Sequence, residues 1–142
     1  MRYQTAAGWR CEESYRQLRV NGLRLVRAGH GQQARALASA MGRRLPLHRT
    51  DMSLADLLGA DLQGADLRGA NLHWAQLSGA QLSGADLQRA DLQRADLYMA
   101  NLHGANLYMA NLYMANLSGA NLEGANLEGA RLYAVKLRGE GS

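Results

Sequence analysis

Hydrophobic positions in the C-terminal two thirds of the chain recur with a period of five residues. Leucine stands at every fifth position from Leu57 to Leu137, seventeen times without interruption. Alanine precedes the leucine by two residues from Ala55 to Ala130, and an Asp, Asn or Gln lies between them in all but the last two units. The chain is therefore built from a tandem unit, Ala-[Asp/Asn/Gln]-Leu-x-x.

A period of five residues fits neither an amphipathic helix nor a continuous strand. On a helix, five residues advance the chain by about 140° past a full turn, so the leucines would scatter around the cylinder. On a strand, an odd period would place alternate leucines on opposite faces. The pattern instead predicts a three-residue extended piece, with Ala and Leu inward and the residue between them outward, followed by a two-residue corner. Gly ends ten of the seventeen units, which suits a corner with an unusual backbone angle.

These units resemble the signature of the pentapeptide-repeat family, Ala-[Asp/Asn]-Leu-x-x. The resemblance covers Ala55 to Gly139, with a degenerate leading unit at 50–54 and a further one at 45–49 left open. It implies an all-β solenoid, a right-handed quadrilateral parallel β-helix of about four coils with about twenty residues each. The expected structural core consists of the repeat leucines Leu57, Leu62, Leu67, Leu72, Leu77, Leu82, Leu87, Leu92, Leu97, Leu102, Leu107, Leu112, Leu117, Leu122, Leu127, Leu132 and Leu137.

The first 49 residues differ from the repeats in composition and charge. They hold ten Arg against two Glu, so we assign 1–49 to a basic, partly helical N-terminal cap, 50–139 to the coil and 140–142 to a disordered tail. Residues 31–44 predict a short helix, with Ala34, Leu37, Ala38 and Met41 on one side and Pro46 after its end.

Residues 17–26 leave two structures open. Asn21-Gly22 between alternating apolar and Arg positions indicates a hairpin, whereas the spacing of the apolar residues also allows a helix, which we favour slightly.

Side chains four units apart should stack in columns on the outside of such a coil. Stepping by twenty residues brings Trp74, Arg94 and Met114 into one column and His73, Tyr113 and Tyr133 into its neighbour. Aromatic residues and Met are enriched at the centres of protein interfaces, although they are also tolerated singly on ordinary surfaces. The candidate interaction surface comprises Trp74, Tyr98, Met99, Tyr108, Met109, Tyr113, Met114 and Tyr133.

The residue before each leucine changes along the chain. Asp predominates up to Asp96 and Asn replaces it from Asn101 to Asn126, before the basic Arg131 and Lys136. Stacked Asn side chains can form hydrogen-bonded ladders, whereas stacked carboxylates repel each other. We therefore expect the surface to change from acidic to neutral to basic along the axis.

The sequence contains no recognisable catalytic constellation. His73 and His103 should fall on different faces, Cys11 is the only thiol, and a filled interior leaves no substrate pocket. We expect no catalytic, metal-binding or cofactor-binding residues, and no cofactor.

The sequence therefore favours a non-catalytic scaffold that binds a protein partner. The sequence does not identify that partner. Self-association through the C-terminal end of the coil, or through the Tyr-Met face, is a further expectation. The family resemblance supplies one alternative, a DNA mimic that binds a type II topoisomerase. Nucleic-acid contact through the Arg-rich N-terminal segment is another, and we favour neither. The absence of a long apolar segment indicates no membrane span, and together with the single Cys it suggests a cytoplasmic protein.

Overall fold

The computed structural model describes residues 4–5, 8–9, 12–40 and 44–138. Two short antiparallel strands come first, β1 (Gln4–Thr5) and β2 (Gly8–Trp9). Two helices follow, α1 (Glu12–Arg27) and α2 (Gly31–Ala40). Beyond the helices, the described chain forms isolated parallel β-bridges.

Each of these bridges joins residues that are twenty positions apart. Asp51 pairs with Asn71 and Asn71 with Asp91, and the same step continues through the repeats. The amide of Asp86 donates to the carbonyl of Ala65 at 2.9 Å, and the amide of Leu67 donates to the carbonyl of Asp86 at 2.8 Å. The repeats therefore wind into a coil with twenty residues per turn, in which each turn is hydrogen-bonded to the turns before and after it.

The interior of this coil is filled by the alanine and leucine of each unit. Every repeat leucine from Leu57 to Leu117 is buried, and Leu122 and Leu127 are partly buried. The expectation of a core position is wrong for Leu132 and Leu137, which are 45% and 62% exposed. Both belong to the last described turn, where no described residues pack on the far side.

The corners of the coil are tight turns with a left-handed residue. The amide of Ala70 donates to the carbonyl of Leu67 at 3.0 Å, and Gly69 between them has a φ of 65°, as the third residue of a type II turn requires. Nine of the described corners hold a residue other than glycine in this conformation, which costs an L residue about 1 kcal/mol. They are Arg49, Leu54, Trp74, Arg89, Arg94, Met99, Met109, Met114 and Ala134.

Residues 17–26 form part of α1, so the Asn21-Gly22 pair does not make a hairpin turn. A Cβ atom on Gly22 would lie 2.6 Å from Cδ1 of Leu45. Glycine at this position therefore allows α1 to approach the first turn of the coil closely. Val26, one helical turn further on, is buried there too.

The bridges begin earlier than the boundary at residue 50. Pro46 pairs with Asp66, and Leu45 and Leu47 are buried like the repeat residues that follow. Pro46 has no N–H to donate, but as a first-turn residue it has no preceding turn to donate to, which is why proline fits at this edge. The unit at 45–49, left open by the sequence, is thus part of the coil.

Some predictions for the N-terminal region and the tail fall outside the described residues. Helix α2 ends at Ala40, and Met41, like the tail at 140–142, is not described. Nor are the side chains of Ala34, Leu37 and Ala38, so the predicted apolar side of this helix stays a prediction.

Among the described residues, three arginines connect the N-terminal segment to the coil. Nη2 of Arg27 donates to the carbonyl oxygen of Asp51 at 2.5 Å. Arg35 donates to Oδ2 of Asp61 from Nη2 at 2.6 Å and from Nε at 3.1 Å. Nη2 of Arg44 lies 3.4 Å from Oδ2 of Asp86. Part of the positive charge of the segment is therefore used in holding it against the acidic first turns.

Candidate interaction surface

The aromatic column consists of His73, Trp74, Arg94, Tyr113, Met114 and Tyr133, which lie on one corner of successive turns. The amide of Trp74 donates to the carbonyl of Gln93, and the amide of Arg94 donates to the carbonyl of Tyr113, which sets the twenty-residue register. His73 stacks beside Trp74 with ring centroids 6.2 Å apart, and Cζ of Arg94 lies 5.0 Å from the Trp74 ring centroid.

Further along the same column, two tyrosines stack face to face. The rings of Tyr113 and Tyr133 have centroids 5.8 Å apart and an interplanar angle of 7°. Tyr133 is 75% exposed, whereas Tyr113 is half-buried. The column therefore presents a run of flat rings whose outer faces and edges remain accessible to solvent.

Two Tyr-Met pairs lie on the neighbouring corners of the same turn. The chain passes from one corner to the next every five residues, so Tyr108 and Met109 come one corner before Tyr113. Tyr98 and Met99 lie one corner after Arg94. Tyr98, Met99 and Met109 are exposed, and Tyr108 is half-buried. The eight predicted surface residues thus lie on three adjacent corners, not on a single face.

The methionines at these corners pack over glycines of the next turn. A Cβ on Gly119 would lie 2.5 Å from Sδ of Met99, and one on Gly129 would lie 2.6 Å from Sδ of Met109. Part of each Met side chain thus occupies the space that a side chain at the glycine of the next turn would fill. About half of each nevertheless remains exposed.

The Asp or Asn before each leucine stabilises the corner that follows. Its Oδ1 accepts a hydrogen bond from the amide two residues on, as from Tyr98 to Asp96 and from His103 to Asn101, both at 3.1 Å. This bond satisfies an amide that the inter-turn hydrogen bonds do not reach, which explains why short polar side chains with a carbonyl or carboxylate oxygen occupy this position.

The same side chains also form ladders between turns. Asn71 donates from Nδ2 to Oδ1 of Asp51 at 3.2 Å, and Asn111 donates to Oδ1 of Asp91 at 3.3 Å. In two of the four columns, those that begin at Asp51 and Asp56, carboxylates therefore alternate with amides. The expected gradient from acidic to neutral describes the order along the chain, but it misses this alternation between residues twenty apart.

Among the described bridges, only one stacks two carboxylates, those of Asp66 and Asp86. Arg68 binds Asp66 with two hydrogen bonds, from Nε at 2.8 Å and from Nη2 at 2.7 Å, and its Nε is 3.9 Å from Asp86. Burial acts to raise the pKa of Asp66, but the hydrogen bonds from Arg68 and the charges of Arg68 and His48 outweigh it and hold the pKa below its ordinary value. The two carboxylates are therefore stabilised by arginine.

Sequence reasoning missed a second group of polar side chains, beside this pair. His48, Arg49, Arg68, Gly69, Gln88 and Arg89 line one cavity of about 520 Å³ on the corner that precedes the aromatic column; we call this group the basic corner. Stepping by twenty residues at the last two positions of each unit would have revealed it, because the step joins His48 to Arg68 and Arg49 to Gly69 and Arg89.

Within the part of the chain that is described, no group of three or more His, Cys, Asp and Glu side chains is placed to hold a metal ion. The described helices include none that is both long and apolar enough to span a membrane.

The stacked five-residue units define a solenoid protein, in which each repeat packs only against its neighbours. The sequence profile of the pentapeptide repeats matches residues 47–73, 70–107 and 100–139, in eight copies. The chain therefore belongs to the pentapeptide-repeat family, whose solved members are right-handed quadrilateral β-helices. No curated protein matches the chain in sequence.

Several solved pentapeptide-repeat proteins are similar to this chain. Rfr23 from the cyanobacterium Cyanothece 51142 is 40% identical, with a TM-score of 0.64 over 66% of this chain and 64% of that chain. HetL, involved in heterocyst differentiation regulation in Nostoc sp. strain PCC 7120, is 44% identical, with a TM-score of 0.64 over 68% and 46%. A thylakoid-lumen protein of Arabidopsis thaliana is 38% identical, with a TM-score of 0.58 over 60% and 59%. The matched region thus spans less than two thirds of each of these chains.

Proposed function

We propose that this protein is a non-catalytic scaffold that binds a protein partner through the aromatic column and the two flanking Tyr-Met pairs. The observation that carries the proposal is the presence of two stacked aromatic pairs on one corner of the coil, His73 with Trp74 and Tyr113 with Tyr133, with Arg94 over the Trp74 ring in the turn between them. Rigid rings that are already ordered lose little conformational entropy on binding, which makes them effective interface anchors.

The backbone at these corners gives independent support. Trp74, Met99, Met109 and Met114 adopt φ values of 57–61°, a region in which glycine would be less strained. Ten units of this chain show that glycine is accepted at the same position. These corners therefore hold large apolar side chains at a local cost, and partner binding gives a reason for their presence.

The N-terminal helices complete the scaffold as a cap on the first turn. The close contact of Gly22 with Leu45 and the ion pair of Arg35 with Asp61 support this role. Covering the first turn removes an exposed edge of backbone groups that would otherwise invite association with another chain.

The test is a capture experiment with three purified chains as bait: the wild type, Trp74→Ser/Tyr108→Ser/Tyr113→Ser, and Gln63→Ser/His103→Ser/Glu123→Ser. The control triple changes residues at the fourth position of the repeat, which Tyr108 and Tyr113 also occupy, on the one corner of the coil that has no Trp, Tyr or Met. Circular dichroism and thermal unfolding of all three establish that the coil is intact. We expect the wild type and the control to retain one specific protein, and the aromatic triple to bind it about a hundredfold or more weakly.

Other outcomes separate the alternatives. A partner that all three baits retain equally would rule out this surface as its binding site. Capture of a type II topoisomerase by all three would favour charge mimicry. Recovery of a differently tagged copy of the same chain, lost in the aromatic triple, would identify self-association through this face as the interaction.

A further inference from the structure

The basic corner is formed by three successive turns of the coil, and the middle turn has a glycine at the last position of its unit. In successive turns its last two positions hold His48 and Arg49, then Arg68 and Gly69, then Gln88 and Arg89. Gly69 has no side chain, so the space above its backbone is bounded by Arg49 on one side and Arg89 on the other. Turns of a parallel β coil are about 4.8 Å apart, which separates the backbones of these two arginines by about 10 Å.

Some charged side chains at the basic corner form ion pairs with described residues, whereas two of its arginines do not. Asp66 and Asp86 are bound by Arg68 and Arg44, and Nδ1 of His48 lies 3.3 Å from Oδ2 of Asp66. Within the described part of the chain, no ion pair or side-chain hydrogen bond engages Arg49 or Arg89. Two guanidinium groups are therefore available beside a network whose carboxylates are already neutralised.

The backbone shows that this arrangement has a local cost. Arg49 and Arg89 have φ values of 56° and 58°, in the left-handed region where the intervening Gly69 has 65°. A Cβ on Gly69 would touch only Cγ of Arg49, at 3.4 Å, so the glycine is not required by close packing of backbone. The two arginines occupy strained corners, and the position between them carries no side chain of its own, with the aliphatic stem of Arg49 beside it.

We propose that the basic corner binds the phosphate group of a small phosphate ester. The phosphate lies over Gly69 and accepts hydrogen bonds from the guanidinium groups of Arg49 and Arg89. Guanidinium groups form short, charge-assisted bonds of about 2.8 Å with phosphate oxygens, so one tetrahedral group fits between them. This site shares no residue with the aromatic column or the Tyr-Met pairs, although Tyr108 and Met109 follow it on the same corner, and the proposal does not depend on the proposed function.

The extent of the basic corner favours an isolated phosphate over a nucleic-acid backbone. In the next turns the same positions hold Tyr108 and Met109, followed by Glu128 and Gly129, so the positive charge does not continue along the axis. A strand of nucleic acid needs a series of cations that follows its backbone, whereas a single phosphate needs only the two that flank Gly69.

The test is an NMR titration of the full chain with inorganic phosphate and with adenosine monophosphate, at constant ionic strength, following backbone amides. We expect saturable shifts centred on Gly69 and its two flanking turns, with a Kd in the millimolar range. Arg49→Gln/Arg89→Gln should weaken binding by about tenfold or more. Gly69→Met should do the same by filling the space with a side chain that the coil accepts at Met99, Met109 and Met114.

Matched variants keep the test specific. Gly79→Met makes the same change at a corner without flanking arginines, and Arg131→Gln/Arg138→Gln removes the same charge from the other end of the coil. Both should bind like the wild type. Shifts spread over all arginine-bearing segments, or equal weakening in the control variants, would overturn the proposal. So would binding of a single-stranded oligonucleotide that adenosine monophosphate does not displace.

Discussion

Leu97→Asn is expected to lower the free energy of unfolding by about 4 kcal/mol, a large part of the stability of a domain of this size. Leu97 is fully buried, and its amide donates to the carbonyl of Asn116 in the next turn. The substitution removes apolar contacts and places an amide where the interior offers no polar partner. Because each turn is supported only by its neighbours, we expect the damage to spread to the turns on either side.

The control is the same substitution at Leu132, which occupies the same position of the repeat but is 45% exposed. Here the new amide reaches water, so we expect a loss below about 1 kcal/mol. Urea unfolding followed by circular dichroism measures both. Equal losses in the two variants would contradict the burial that we describe for the interior of the coil.

Asn71→Asp is expected to destabilise the coil by about 1–2 kcal/mol at pH 7. Asn71 lies between Asp51 and Asp91 in the ladder and donates to Asp51. The variant would therefore stack three carboxylates at spacings of about 4.8 Å and lose the donor that now separates them. Oδ1 would still accept the hydrogen bond from the amide of His73, so the corner itself is retained.

Asn101→Asp provides the matched control, because Asn101 lies between Gln81 and Asn121, which are both neutral. It loses a similar donor bond without gaining carboxylate neighbours, so it should be destabilised less. The repulsion acts only while the stacked carboxylates are ionised, so the destabilisation exists at neutral pH and disappears as the pH falls and they become protonated. A difference between the two variants that persists at pH 3, measured by urea unfolding, would show that charge is not its cause.

The sequence predicts most of the coil because its repeat is so regular. A leucine every fifth position, with an alanine two residues earlier, is compatible with few backbones, and the twenty-residue step then places Tyr113 beside Tyr133 and Trp74 beside Arg94. The structure has both contacts. The exposure of Leu132 and Leu137 could not be read from the repeat itself, because leucine stands at the same position in these units as in the buried ones and its burial depends on the turn that packs beyond it.

Two further features of the coil become visible only when residues twenty positions apart are compared at every position of the repeat. The alternation of Asp and amide residues, and the basic corner around Gly69, both follow from stepping by twenty. Read in chain order, these residues show only a gradual loss of acidity. In the N-terminal segment, by contrast, local propensity could not decide between hairpin and helix at Asn21-Gly22. Tertiary packing favours the helix at this position, because a glycine inside α1 leaves room for the side chain of Leu45.

The stacking of residues twenty apart underlies the aromatic column, the ladders and the basic corner alike, and cross-linking tests it most directly. In a Cys11→Ser background, Gln93→Cys/Tyr113→Cys places two thiols twenty residues apart in the aromatic column, and Gln88→Cys/Gln93→Cys places them five apart on neighbouring corners. A disulfide needs Cα atoms about 4.4–6.8 Å apart, which adjacent turns provide. We expect mild oxidation to cross-link the first pair within one chain and to leave the second reduced. Cross-linking of the second pair but not the first would contradict the twenty-residue turn, and with it the surfaces described above.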